Sequence, residues 1–210
     1  MRISAGRVAR ATFGVFGSTS AWVGELSDTA ATLARPLPLV RRINFVQLHG
    51  GAGASAIAGH VASTLARRRA GMVLGVNASA GPIHLLWHAG LAGDAEQLEA
   101  ARRAEARTAE DARAGLPTTR TGLIGLDLTR EVAAPGAVSD LVWADRVGPI
   151  ARFYDVICTD WGVRDPRVDL RRVVETGHVL CLVTRADRHA AEEAAGLIPA
   201  VRAVDERVRV

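Results

Sequence analysis

Lysine is absent from this chain of 210 residues, and all 26 of its basic residues are arginine. The 22 acidic residues leave a formal net charge of only +4, and the arginines occur in ones to threes rather than in a long run. Proteins that bind nucleic acid present dense basic surfaces to the phosphate backbone, whereas the arginines here are dispersed. No specific nucleic-acid partner is therefore indicated. Exclusive use of arginine in an alanine-rich chain is typical of GC-rich coding sequence and favours an actinobacterial source.

Cysteine and long hydrophobic runs are also scarce. The two cysteines, Cys158 and Cys181, each lie in an apolar run that predicts a buried strand, so both are interpreted as core thiols in a reducing cytosol. No apolar stretch reaches the roughly 18 residues that indicate a transmembrane helix. Glycine, serine and threonine interrupt the segment 11–24, which therefore lacks the hydrophobic region of a signal peptide. A cytoplasmic location is expected.

Hydrophobic residues make up 49% of the chain, enough for one sizeable core. From residue 40 onward, short β-branched runs alternate with alanine-rich helical stretches, which predicts an α/β fold with a mostly parallel sheet and helices on both faces. The predicted strands are 43–48, 72–76, 123–126, 156–160 and 179–184, and the predicted helices are 55–71, 94–114, 138–152, 169–175 and 187–204. This pattern predicts an N-terminal arm, 1–38, and one domain, 39–210.

The arm carries basic and aromatic residues close together. An adaptor that lies on an anionic membrane surface would use such residues, so this role is one hypothesis for the arm. The residues concerned are Arg2, Arg7, Arg10, Phe13, Phe16 and Trp22.

The most informative segment is 49–55, which reads His-Gly-Gly-Ala-Gly-Ala-Ser between the first predicted strand and its helix. A glycine-rich turn that opens a helix directs backbone N–H groups and the helix dipole at one point, where a phosphate fits. Ser55 stands where a hydroxyl would contact the magnesium ion of a bound nucleotide. Phosphate-binding loops place lysine directly before that hydroxyl, and this chain has Ala54.

This segment resembles the deviant phosphate loop of the MinD and ParA family of ATPases, whose pattern is Lys-Gly-Gly-x-Gly-Lys-Ser/Thr. The resemblance puts His49 in place of the signature lysine, which in the family reaches the partner's phosphates across a nucleotide-sandwiched dimer. It puts Ala54 in place of the lysine that holds phosphate within the same subunit. The nucleotide-binding residues that it implies are His49, Gly50, Gly51, Ala52, Gly53, Ala54, Ser55 and Ala56.

The resemblance extends over roughly residues 35–204. Asn77 occupies the position of a family aspartate that helps to handle the attacking water. The segment 153–162 is similar to the Walker B strand, in which Asp160 would assist magnesium together with Ser55. The family forms much of its adenine pocket from later strands and helices, so a C-terminally truncated version of the fold is expected. Within the family, the chain resembles the MinD-like proteins that are encoded next to actinobacterial type VII secretion genes.

The missing lysines favour a pseudo-ATPase that acts as a cytoplasmic scaffold and binds a protein partner, with no nucleotide cofactor. Loss of one charge-assisted phosphate contact costs about ten- to a hundredfold in affinity. Loss of a cation at the transition state costs about a thousand- to a hundred-thousandfold in rate. The alternative is a slow ATPase switch in secretion, septum placement or partition, which binds Mg-ATP weakly, uses Asn77 and Asp160, and recruits an arginine from elsewhere. In that case a homodimer is implied.

Other residues have structural and functional interpretations side by side. His84 and His88 are four residues apart, as metal ligands on one helix face would be, but a surface or half-buried pair that flanks Trp87 is favoured because no Glu or Cys accompanies them nearby. Trp143 is expected in the core, and Trp161 at the mouth of the phosphate site. Asp165 is interpreted equally as a helix cap or as part of an acidic cluster around Asp160, and Asp169 as a cap.

Overall fold

The computed structural model describes residues 19–91, 100–131 and 136–210. The chain divides into two compact units, Met1–Arg35 and Pro36–Val210. The first unit contains helix α1, Thr19–Ala34, which the sequence pattern does not predict. Trp22 lies on α1 with about half of its surface exposed. The other arm residues that motivate the membrane hypothesis lie outside the described residues.

The second unit is built on a five-stranded sheet in which every neighbouring pair of strands is parallel. The strand order is β3-β2-β4-β1-β5. The strands are β1 Arg41–Gln47, β2 Val73–Asn77, β3 Leu123–Asp127, β4 Val156–Val163 and β5 Val179–Val183. The predicted fold class is thus confirmed, and the largest difference in a strand boundary is the extension of β4 to Val163.

Seven helices in the described part of this unit connect and cover the strands. They are α2 Ala54–Arg68, α3 Leu85–His88, α4 Ala100–Ala104, α5 Ala109–Ala112, α6 Asp140–Val147, α7 Leu170–Glu175 and α8 Arg188–Val204, with 3₁₀ turns at Leu128–Glu131 and Ala151–Phe153. Side-chain caps begin α6 and α8, where Ser139 accepts from the N–H of Val142 and Asp187 accepts from that of Ala190. Among the described residues, no helix combines the length and apolar character needed to cross a membrane.

The single solvated helix predicted for 94–114 is wrong in its described part. Residues 92–99 lie outside the description, and the remainder forms two short helices, α4 and α5. A capping box starts α5, because the Thr108 hydroxyl accepts from the N–H of Asp111 while the Asp111 carboxylate accepts from that of Thr108. Arg103 is buried, and its Nη1 donates to the carbonyl of Ala114 at 3.0 Å. The spacing of charges predicted helical propensity, but the cap divides the segment.

The two faces of the sheet are covered by different helices. On one face α3 lies so close to the strands that a Cβ on Gly75 would stand 2.8 Å from Leu85 Cδ2. On the other face, the Trp143 indole of α6 donates to the hydroxyl of Thr159 at 3.1 Å. Successive side chains of a strand point to opposite faces, and Asp160 accordingly contacts α3. The carboxyl ends of β1, β2 and β4 therefore meet the start of α2 and α3 on one side of the sheet.

Candidate nucleotide site

The glycine-rich loop joins the end of β1 to the start of α2 and keeps an open backbone. Gly51 and Gly53 have φ angles of +80° and +91°, a left-handed conformation that favours glycine. Space around both residues is open, since an added Cβ would meet nothing within 4 Å. The loop borders a cavity of about 280 Å³ lined by Gln47, Gly51, Gly53, Ala54, Ser55, Ala56, Ile83 and His88. No arginine lines this cavity in the described part of the chain.

Three of the predicted nucleotide-binding residues, His49, Gly50 and Ala52, are not among those that line this cavity. His49 instead contacts α8, where its Nε2 lies 2.8 Å from a carboxylate oxygen of Glu193. Half of the His49 side chain is exposed, so this contact contributes little to stability. Its consequence is positional, because it directs the side chain at the signature-lysine position toward the chain's own last helix.

Gln47, the last residue of β1, accepts a hydrogen bond from a backbone N–H at the start of α2. The backbone N–H of Ala54 donates to the Gln47 side-chain oxygen at 3.3 Å. The first N–H groups of a helix have no partner within the helix and are the groups that a phosphate-binding loop offers to its ligand. A side chain of the protein itself therefore satisfies one of them. The loop motif does not include Gln47, which precedes it by two residues.

Asp160 is fully buried near the end of β4. One carboxylate oxygen accepts from the N–H of Leu85 at 3.1 Å, and the other accepts from the N–H of Gly162 at 3.0 Å. Asp160 is not among the residues that line the loop cavity. Each oxygen of Asp160 is thus held by one backbone donor in this structure.

Asn77 lies in register with Asp160 on one side and with Asp127, the last residue of β3, on the other. Its amide donates to Asp127 at 2.7 Å, and its oxygen accepts from the N–H and hydroxyl of Ser79 at 3.0 and 2.9 Å. We call Asp127, Asn77 and Asp160 the polar row. Asp127 is not part of the predicted site. A polar residue at the end of a parallel strand is nevertheless a sequence signal for such a site, because ligands bind beyond the carboxyl ends of the strands.

The two histidines around Trp87 have different roles. His84 precedes α3, and its Nδ1 accepts from the N–H of Leu86 at 3.3 Å, while its Nε2 lies 3.8 Å from Asp127. Burial lowers the pKa of His84 and outweighs the attraction of Asp127 and Asp160. His88 instead lines the loop cavity. Across the described residues, no cluster of three or more His, Cys, Asp or Glu side chains is arranged to hold a metal ion.

The prediction that Trp161 lies at the mouth of the phosphate site is wrong. Trp161 is fully buried, and its ring packs 6.3 Å from that of Trp143, which is buried as expected. Successive side chains of a strand point to opposite faces, so Trp161 lies on the face opposite Asp160. This rule, applied to the sequence, predicts that Trp161 points away from the phosphate site. The guanidinium of Arg164 lies over the Trp161 ring and donates to the carbonyls of Trp161, Ala78 and Val138, each at 2.9 Å.

The two aspartates after β4, Asp165 and Asp169, lie in the turn that precedes α7. The Asp165 side chain accepts from the N–H of Arg167 at 2.7 Å, and its carbonyl accepts from the N–H groups of Asp169 and Leu170. Asp169 stands at the position before α7, but its side chain makes no capping hydrogen bond, contrary to the expectation. Asp165 therefore orders this turn.

Comparisons with known proteins support the same fold. No family model matches the chain, and no curated protein matches it. Among solved structures, a ParA family ATPase from Chlorobium tepidum is similar over 80% of this chain and 71% of its own, with 21% identity and a TM-score of 0.59. The MinC:MinD cell division protein complex of Aquifex aeolicus matches over 80% of this chain and 66% of its own, with 18% identity and a TM-score of 0.58.

A plasmid partition protein from Borrelia burgdorferi is similar over 81% of this chain and 76% of its own, with 13% identity and a TM-score of 0.53. The fold is that of ParA and MinD ATPases. At these identities the likeness concerns the fold, and the roles of individual residues depend on the geometry described above. The MinD/ParA-like fold also explains why the glycine-rich loop and the polar row meet at the same edge of the sheet.

Proposed function

We propose that this protein is a MinD/ParA-like pseudo-ATPase that acts as a cytoplasmic scaffold by binding a protein partner. The observation that carries this proposal is the loop, which keeps the glycine backbone of a phosphate site while its cavity is lined by no lysine or arginine in the described residues. Triphosphate carries several negative charges, and backbone N–H groups alone neutralise little of that charge.

Three contacts support the proposal further. Gln47 already occupies the N–H of Ala54, so part of the backbone cradle is satisfied internally. His49 is bonded to Glu193 of the same chain rather than directed toward another subunit. Asp160 gives both oxygens to backbone N–H groups and is thereby a structural acceptor. The two lysines of the ATPase motif are thus replaced, and the side chains of His49 and Asp160 are engaged within the chain, whereas Ser55 still lines the cavity.

Calorimetric titration with Mg-ATP tests the proposal. We expect the native chain to bind more weakly than about 1 mM, since the loss of one lysine contact weakens micromolar binding by about ten- to a hundredfold and here two lysines are missing. The Ala54→Lys variant supplies one cation and is expected to gain about tenfold or more in affinity. Ala54→Met is the matched control, because it adds similar length without charge and leaves the affinity unchanged.

Native binding tighter than about 100 µM, together with measurable ATP turnover, would contradict the pseudo-ATPase proposal. Such a result would support the second candidate, a slow ATPase switch. One observation favours that candidate: Ser55 lines the cavity beside glycines whose surroundings are open. Turnover that is lost in Ser55→Ala would identify the loop as its source, whereas turnover retained in this variant indicates a contaminating enzyme.

A protein partner is proposed by analogy with the similar structure that contains a MinC:MinD complex. An ATP-dependent homodimer belongs to the switch candidate, and chromatography with and without Mg-ATP tests it. Co-purification from the native host identifies the partner and decides among secretion, septum placement and partition, including an actinobacterial type VII secretion system. Liposome sedimentation of the chain with and without residues 1–35 tests the membrane role of the arm.

A further inference from the structure

A second concave surface lies at the amino-terminal ends of the strands, on the side of the sheet opposite the glycine-rich loop. It has a volume of about 760 Å³ and lies between the starts of β1 and β5 and the segment after α8. We call it the basal groove. Its lining residues are Arg41, Arg42, Glu175, Gly177, His178, Val179, Asp205, Arg207, Val208 and Arg209. This volume falls within the range of small-ligand sites, about 300–1,000 Å³.

The wall formed by the segment after α8 is fixed by hydrogen bonds to β5. The N–H of Leu180 donates to the carbonyl of Arg209 at 2.8 Å, and the N–H of Arg209 donates to the carbonyl of His178 at 3.1 Å. A turn at Asp205 precedes this pairing, because its side chain accepts from the N–H of Arg207 at 2.9 Å. The arginines of the groove are therefore presented by an ordered backbone.

The groove has an excess of positive charge, with four arginines against two carboxylates. Asp205 is already paired, since Arg207 donates to both of its oxygens at 3.0 and 3.2 Å, and this pairing lowers the pKa of the carboxyl. Glu175 is paired with Arg171 at 3.2 Å. Three guanidinium groups form no ion pair within the described residues. Arg41 and Arg209 are exposed, whereas the guanidinium of Arg42 lies over the ring of the buried Trp143, 5.9 Å from its centroid.

Arg42 and His178 show that part of this charge is desolvated. Burial lowers the pKa of Arg42, and its Nε is buried without a hydrogen-bond partner among the described residues. The Nδ1 of His178 accepts from the N–H of Arg42 at 3.1 Å, so the proton of the neutral ring lies on Nε2 and can be donated. Burial, followed by repulsion from Arg42 and Arg41, lowers the pKa of His178 and favours this neutral form.

We propose that the basal groove binds a small ligand through a phosphate or pyrophosphate group, independently of the degenerate loop. Guanidinium groups bind phosphate oxygens in pairs and are strong phosphate donors, and the His178 N–H adds a neutral donor. The two carboxylates in the lining disfavour an extended anionic surface such as a membrane or nucleic acid. The apolar residues of the lining, Val179 and Val208, are not exposed, so membrane insertion is disfavoured as well.

Calorimetric titration of the full chain with pyrophosphate, without magnesium, tests this proposal. We expect saturable binding below about 1 mM that weakens about tenfold in Arg41→Gln and in Arg209→Gln, since each removes one charge-assisted contact. Arg120→Gln is the matched control, because Arg120 is also exposed and precedes β3 at the far side of the sheet. Ser55→Asp places a carboxylate in the loop cavity, and binding to the basal groove should be unchanged by it.

Three outcomes would overturn the proposal: no saturable binding, equal weakening by Arg120→Gln, or a loss confined to Ser55→Asp, which would place pyrophosphate in the loop. Tighter binding of a polyglutamate peptide than of pyrophosphate would also overturn it, in favour of an acidic protein partner. Thermal melting shows whether each variant is folded. If Arg41→Gln is not, Arg41→Lys replaces it and is expected to bind pyrophosphate with intermediate affinity, while unaltered affinity counts against the proposal.

Discussion

The glycine-rich loop and the polar row are the two halves of the candidate site, and they differ in where their polar groups are satisfied. The loop is open, and its predicted ligand-binding groups are mostly backbone N–H. In the polar row, Asp127, Asn77 and Asp160 are buried, and each accepts or donates hydrogen bonds within the chain. One half of the site thus resembles an incomplete binding surface, while the other half is part of the folded core.

This difference makes a testable distinction between ligand binding and stability. Removal of the hydrogen-bond partner of a buried polar group lowers the free energy of unfolding strongly. Substitution of an exposed group that has no such partner changes it little. Variants of the polar row should therefore change stability strongly, and variants of the loop should change it little. An active ATPase predicts a different pattern, in which both halves affect turnover.

The largest effect is expected for Asp160→Ala. Removal of this carboxylate leaves the N–H groups of Leu85 and Gly162 without their acceptor, so we expect a loss of about 3 kcal/mol in the free energy of unfolding, measured in urea. Ser55→Ala is the comparison in the loop and should change the same quantity by less than about 0.5 kcal/mol. Similar losses in both variants would remove the distinction between the two halves.

The next effect is expected for Asn77→Asp, which introduces the residue that the resemblance to MinD and ParA ATPases implies at this position. The new carboxyl lies where an amide now donates to Asp127 at 2.7 Å, so repulsion and burial raise its pKa in the folded state. The folded state then holds more protons than the unfolded state, and stability falls as pH rises. We expect a loss of about 2 kcal/mol at pH 8 and a smaller loss at pH 5. A pH-independent loss would contradict the repulsion.

A smaller effect is expected for Gln47→Ala. This change releases the N–H of Ala54 for a ligand and removes one hydrogen bond at the loop, so stability should fall by less than about 1 kcal/mol. In the Ala54→Lys background, the affinity for Mg-ATP should rise about threefold, because the backbone cradle gains a donor. Calorimetry measures the affinity, and an unchanged or weaker affinity would show that Gln47 does not compete with phosphate.

The smallest effect concerns acid sensitivity. Burial lowers the pKa of both His84 and His178, so the folded state holds fewer protons than the unfolded state between those values and about 6.5. The histidine contribution to stability is therefore complete above that window and is lost as pH falls through it. His84→Asn preserves a side-chain cap and should flatten the pH dependence of urea unfolding. His189→Asn, at an exposed position, serves as the control.

Much of the fold follows from local patterns. Continuous β-branched runs predict all five strands of the domain, and a glycine-rich turn between a strand and a helix predicts the loop before α2. These features depend on residues close together in the chain. Backbone conformation at Gly51 and Gly53 is likewise local, because a left-handed turn favours glycine whatever surrounds it.

The contacts that decide the character of the site are not local. Asp127 joins Asn77 only through the register of β2 and β3, and Glu193 reaches His49 across 144 positions of the chain. The division between α4 and α5 is missed for another reason, since the capping box at Thr108 outweighs a continuous pattern of helix-forming residues. Motif comparison identifies which residues are replaced, whereas the structure identifies what the remaining ones contact.

The four-residue helix α3 joins the two halves physically. Its first N–H is held by Asp160, its preceding residue His84 lies beside Asp127, and its last residue His88 forms a wall of the loop cavity. Because α3 has only four residues, the hydrogen bond to Asp160 at its start also influences the position of His88 at its end. Trp87 on the same turn is about half exposed, and its ring lies 4.9 Å from that of His88, so a change at this indole would act directly on the residue that borders the cavity.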